Sequence, residues 1–112
     1  MNPKEIVFNQ IKEYNNQDIE KCLSYCDDQI EVILLPDGKS LFTGKDKLRE
    51  HLASSFGTDE FESTDVKELI SLGYYVTTIE KKLKKSTGEV RSLLITYFVQ
   101  DSVIKTMWAA RQ

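Results

Sequence analysis

The chain has a single histidine, His51, and histidine is the side chain best suited to exchange a proton near neutral pH. It follows Leu48 by three positions and precedes Leu52, so it borders an apolar helical stripe. There it would serve as a general base, or stand as a half-exposed flank residue bonded to water; no acid at a defined spacing accompanies it. Glu80 is the second candidate, because it falls within the strand-like run Thr77-Thr78-Ile79. Facing inward, it would be a carboxyl group with a pKa raised by burial. Facing outward, it would pair with a lysine of the neighbouring strand, and the rarity of buried glutamate favours that orientation. With Tyr14, these residues form the only acid–base set on offer.

Cys22 and Cys26 lie one helical turn apart, but no further Cys completes a metal set and His51 is alone. They share a face with Ile19 and Leu23, which reads as two small core hydrophobes. No metal and no cofactor is expected. The acids Asp59, Glu60, Glu62 and Asp65 read as a solvated strand edge. Lys81, Lys82, Lys84 and Lys85 sit beside a Ser86-Thr87-Gly88 turn and read as a polar hairpin tip.

The elements that must position these residues follow from periodicity. A first helix is predicted from about Pro3 to Tyr14, with proline favoured at its start and Val7, Ile11 and Tyr14 along one stripe. Asp18 caps a second helix that carries Ile19, Cys22, Leu23 and Cys26 on one face and stops at Asp27-Asp28. Ile30–Leu35 is a short strand, closed by the turn Pro36-Asp37-Gly38-Lys39. Thr43-Gly44-Lys45-Asp46 resembles a capping box that opens a third helix with the stripe Leu48, Leu52 and Phe56, and Gly57 is placed to stop it. Four strands are then predicted at about Phe61–Leu72, Tyr74–Lys84, Val90–Gln100 and Val103–Arg111, joined by short polar links as an antiparallel meander.

Both faces of the last two strands are apolar. One face of Val90–Gln100 offers Leu94, Thr96 and Phe98, the other Leu93, Ile95, Tyr97 and Val99. An antiparallel sheet covered on one side alternates apolar with polar, so the second greasy face calls for a second copy of the chain. The expected homodimer interface comprises Leu93, Ile95, Tyr97 and Trp108, with Tyr97 and Trp108 near its centre.

At 112 residues, 40% hydrophobic and 29% charged, the chain reads as a single domain spanning 1–112. A net charge of -3 argues against a nucleic-acid partner. Met1-Asn2-Pro3-Lys4-Glu5 leads straight into a mixed helix, so neither a secretory signal nor a membrane span is expected, and the compartment is expected to be the reducing cytoplasm.

Taken in order, Gln17-Asp18-Ile19, Tyr25-Cys26-Asp27-Asp28, Thr43-Gly44-Lys45, Gly73-Tyr74-Tyr75-Val76 and Ile104-Lys105-Thr106-Met107-Trp108 resemble the nuclear transport factor 2-like superfamily, which includes ketosteroid isomerases and SnoaL-like polyketide cyclases. The resemblance covers nearly the whole chain. It implies an α+β, cystatin-like cone: N-terminal helices packed in a strongly curved, mostly antiparallel sheet, a pocket between them, and a dimer through the convex face. It also implies a pocket lined by Tyr14, Leu35, Leu52, Phe56, Thr96, Phe98 and Met107, unless those side chains simply fill the cone. The ketosteroid isomerase positions are not kept. The general-base stretch is Ile33-Leu34-Leu35, the second acid falls at about Thr96, and the tyrosine falls near Gln10. The chain is therefore expected to be a homodimer that binds a small apolar ligand without an assignable catalytic set. The alternatives are an isomerase, dehydratase or cyclase using His51, Glu80 and Tyr14, and a protein-interaction module with a filled pocket.

Overall fold

The computed structural model describes residues 1–111. The first helix, α1, spans Pro3–Asn15, and its start is fixed twice over. Asn2 and Glu5 form a reciprocal capping box, and Pro3 occupies a position where no N–H is needed. α2 is short, Ile19–Leu23, with Asp18 accepting from the Lys21 N–H at 3.0 Å. Cys26 lies beyond α2 and opens the first strand, β1, which spans Cys26–Leu35 and is longer than the sequence pattern suggested.

A second strand, β2 (Lys39–Thr43), returns from the Pro36-Asp37-Gly38 turn and pairs with β1. Its run Lys39-Ser40-Leu41-Phe42-Thr43 has too few apolar residues to stand out as a strand before its partner is known. α3 covers Lys45–Ala53, and here the capping expectation fails: the cap position is Gly44 at φ 99°, with no side-chain hydrogen bond. The Gly44 N–H instead donates to the Ile30 carbonyl at 2.7 Å, so the helix start is tied to β1 rather than to Thr43.

β3 (Glu62–Leu72), β4 (Tyr75–Lys84), β5 (Val90–Gln100) and β6 (Val103–Arg111) form the meander. β6 then pairs in parallel with β1, giving one six-stranded sheet in the order β2-β1-β6-β5-β4-β3. The register shifts at Val32/Ile33, Val66/Glu68 and Phe98/Val99. Such irregularities bend strands and increase twist, and the sheet curls around the helices into an α+β cone. Ile6, Val7 and Ile11 of α1 and Cys22 and Leu23 of α2 pack into its concave side with Ile30, Val76, Ile95, Val99 and Ile104.

The alternation in β5 is as anticipated, but its two faces are exchanged. Leu93, Ile95 and Tyr97 are buried on the concave side, Tyr97 at 1% exposure; they are core residues of one chain and cannot form an interface. Thr96 and Phe98 point to the convex side, as does Leu35, which is exposed. Of the residues assigned to the interface only Trp108 lies on the convex face, paired in register with Thr96 and Ile33. With both faces apolar, a period of two identifies the faces without saying which the helices cover.

β4 explains the inversion. Its inward residues are Val76, Thr78, Glu80 and Lys82, while Tyr75, Ile79 and Leu83 look outward. The more apolar face of this strand is the convex one, and its polar face turns into the cone.

A polar wall inside the cone

Glu80 is the best-buried acid of the chain, at 1% exposure. It faces inward, against the orientation that the rarity of buried glutamate favoured. Its Oε2 accepts from the Thr78 hydroxyl at 2.5 Å and from the Tyr97 hydroxyl at 2.5 Å, and its Oε1 lies 4.0 Å from the Lys82 ammonium. A buried carboxylate is tolerated when it is hydrogen-bonded and paired, and this strand supplies both, since Thr78, Glu80 and Lys82 alternate along one face. Burial, and then the Glu80 charge, push the Tyr97 phenol well above its ordinary range, so Tyr97 acts as a donor.

Lys82 belongs to this interior and not to a solvated hairpin tip. Its side chain is 13% exposed, and its Nζ donates to Thr64 Oγ1 at 2.5 Å and sits 4.4 Å from the centroid of the Tyr14 ring, a cation–π distance. Burial lowers the ammonium's pKa, against the opposing pull of Glu80. In register, Thr64, Lys82 and Arg91 form a row across β3, β4 and β5. Arg91 grips Glu62 through two hydrogen bonds of 2.8 Å, which hold the Glu62 carboxyl below its usual range. Glu62 is thus part of the inner wall, unlike the solvated edge expected of its acidic run.

Tyr14 reaches this wall from α1. Its hydroxyl donates to the Glu62 carbonyl at 2.7 Å, and its ring packs against Phe56 and Phe61 at 5.4 and 5.3 Å. Burial raises its phenol pKa, so it is a positioned donor whose proton is already committed. His51 stands on the rim, its ring 5.3 Å from Phe42. Partial burial and then the Lys82 charge lower its pKa. Its neighbour is an aromatic ring rather than a carboxylate, so the structure does not build a His–acid pair.

Between the polar wall and the helices lies a cavity of about 280 Å³. Ile11, Val32, Leu48, Leu52 and Met107 form its apolar side, and Glu62, Thr64, Glu80, Lys82, Arg91 and Tyr97 its polar side. Tyr14, Leu52 and Met107 from the expected pocket line it, as do His51 and Glu80. Phe56 packs behind Tyr14, while Leu35, Thr96 and Phe98 lie on the other face of the sheet. Sequence reasoning missed Lys82, Arg91, Glu62 and Gln10. The first of these was legible in the period-two spacing of Thr78, Glu80 and Lys82, had Glu80 been placed inward. Gln10 donates to Cys22 Sγ at 3.2 Å. Burial pushes the Cys22 thiol up to about 11 and the Cys26 thiol up to about 12, so both are protonated core groups. Among the described residues no cluster of His, Cys, Asp and Glu is arranged to hold a metal, and no helix is long and apolar enough to cross a membrane.

No protein-family model matches the chain, and no curated protein matches it. Solved structures do. An uncharacterised cystatin-fold protein from Novosphingobium aromaticivorans superposes with a TM-score of 0.86 at 22% identity, covering 99% of both chains. A nuclear transport factor 2-like protein of unknown function from Cytophaga hutchinsonii gives 0.83 at 12% identity, over 100% of this chain and 91% of that one. TerC, co-crystallised with polyporic acid, gives 0.83 at 17% identity, over 98% and 91%. Identities this low establish the fold alone: the chain has the nuclear transport factor 2-like, or cystatin-like, cone.

Proposed function

We propose that this protein takes a small, mainly apolar molecule with one polar end into its cone, and that it works as a homodimer joined through the convex face of the sheet. The cavity of about 280 Å³ carries the first half of this reading. Protein interiors are normally close-packed, and an unfilled space with an apolar side opposite convergent polar groups has the make-up of a ligand pocket. The presence of polyporic acid in the TerC crystal, a molecule of the same fold, lends support. The open cavity speaks against an interaction module with a filled interior. An isomerase or cyclase built on His51, Glu80 and Tyr14 has less support, because the Tyr14 proton is committed to a carbonyl and His51 lacks an acid partner.

The dimer rests on the convex face. Two registered rows, Ile79-Leu94-Ala110-Leu35 and Thr77-Thr96-Trp108-Ile33, cross four strands with no charged side chain among them. Faces of this kind are seldom left to water on a monomer. The two free thiols, both buried, support a reducing, cytoplasmic compartment.

The binding reading is tested by thermal shift and calorimetry with a panel of aromatic and branched aliphatic alcohols, acids and aldehydes. A ligand present at about a hundred times its dissociation constant should add about 2.7 kcal/mol of stability. A panel in which no compound moves the unfolding midpoint would sink it.

A further inference from the structure

We infer that Lys82 captures the carbonyl group of an aldehyde or ketone seated in the cone, as a reversible imine. The inference rests on the reading that the cone takes a small molecule, and it adds the chemical class of that molecule and the atom that meets it.

Four features of the site point this way. First, among the described residues Lys82 is the one lysine that lines the cavity, on the polar side facing an apolar wall, so the apolar body of a ligand would present its polar end to Nζ. Second, that nitrogen is short of negative partners. It donates to the neutral hydroxyl of Thr64 and lies over the Tyr14 ring, and the nearest carboxylate oxygen is 4.0 Å away. The other Glu80 oxygen, Oε2, accepts from Thr78 and Tyr97. Third, burial favours the uncharged amine, which is the form that carries a lone pair. Half-buried Lys84, by contrast, is bonded to Glu60 at 2.9 Å, and its pKa is raised. Fourth, Glu80 Oε1 faces Nζ without a hydrogen bond of its own, close enough to relay a proton once a ligand draws the groups together.

The chemistry balances without a further reactant. The amine lone pair adds to the carbonyl carbon, a C–N bond forms, and the carbonyl π pair moves to oxygen. Glu80 takes a proton from the nitrogen and delivers it to that oxygen, giving a neutral carbinolamine. A second proton passed the same way lets the hydroxyl leave as water while the nitrogen lone pair forms the C=N bond. Amine and carbonyl compound become imine and water, and nothing is oxidised or reduced. A Schiff base needs an amine that is uncharged near neutral pH and shielded from bulk water. The strand that places Lys82 beside Thr64 and beneath Tyr14 provides that setting.

The test is reductive trapping. Wild-type protein is incubated at neutral pH with hydrocinnamaldehyde and sodium cyanoborohydride, then analysed by intact mass and peptide mapping. The expected result is one adduct, on Lys82, formed at least about tenfold faster than on Lys81, Lys84 or Lys85. Lys82→Arg, checked for folding by circular dichroism, should abolish it, Glu80→Gln should slow it, and hydrocinnamyl alcohol should protect against it. Adducts scattered over exposed lysines, or none at Lys82, while the alcohol still raises the unfolding midpoint, would overturn the imine and leave the binding reading standing. If neither compound moves the midpoint and Lys82 is not trapped, both fall together.

Discussion

Removing the Glu80 carboxylate would strand three groups at once. The Thr78 and Tyr97 hydroxyls would lose their acceptor, and the Lys82 nitrogen would lose the one carboxylate near it. A buried donor left without its acceptor costs the desolvation of that group, which exceeds what the hydrogen bond itself contributed. Glu80→Ala is therefore expected to destabilise the protein by about 3 kcal/mol in urea unfolding. Glu80→Gln should cost less, since its amide oxygen can still accept from Tyr97. A Glu80→Ala loss no larger than that of Glu60→Ala, at an exposed ion pair, would contradict this account of the interior. Neither the depth of Glu80 nor its partners could be read from residue types, because Tyr97 is 17 positions away and meets it only when β4 and β5 pair.

The strands and helices were the most legible level. Their limits depend on local steric and hydrogen-bonding preferences that a short window of sequence displays. β5 and β6 run Val90–Gln100 and Val103–Arg111 as their patterns require. The link between them is a two-residue hairpin with Asp101 at φ 56° and Ser102 at φ 63°, which matches the right-handed strand twist. Serine tolerates that conformation at a cost. Ser102→Gly is accordingly expected to stabilise the protein by about 0.5 kcal/mol, read as a rise in the urea midpoint with unchanged slope. A loss of stability would mean that the serine side chain contributes something beyond its backbone. β2 was missed at this level because its pairing with β1, and not its composition, makes it a strand. The Thr43 cap failed for the same reason, since Gly44 finds its partner on β1.

At the scale of the molecule, the sheet carries apolar rows on its convex face as well as in its core, and β4 inverts the usual order by turning charged side chains inward. That inversion makes biological sense if a ligand meets the polar wall and a second copy of the chain meets the convex rows. Light scattering after size exclusion is expected to report a dimer at micromolar concentration. Thr96→Arg, in the middle of the outer face and away from the cavity, should release monomers without disturbing ligand-induced thermal shifts. A wild-type monomer would remove the assembly from this picture, whereas the cavity is lined by residues of a single chain and would keep them.

The sequence by itself determined the order of the helices and of every strand but β2, and the alternation within each strand, because these follow from periodicities local to the chain; the cone was implied only by the resemblance of those runs to a known superfamily. It also brought His51, Glu80 and Tyr14 into consideration by residue type. Only the tertiary structure decided which side of the sheet became the interior, and with it that Tyr97 is core and Lys82 is enclosed. A strand pattern of period two looks the same from either face. The choice between them is made by the direction in which the bulged sheet curls and by the helices that fill the hollow.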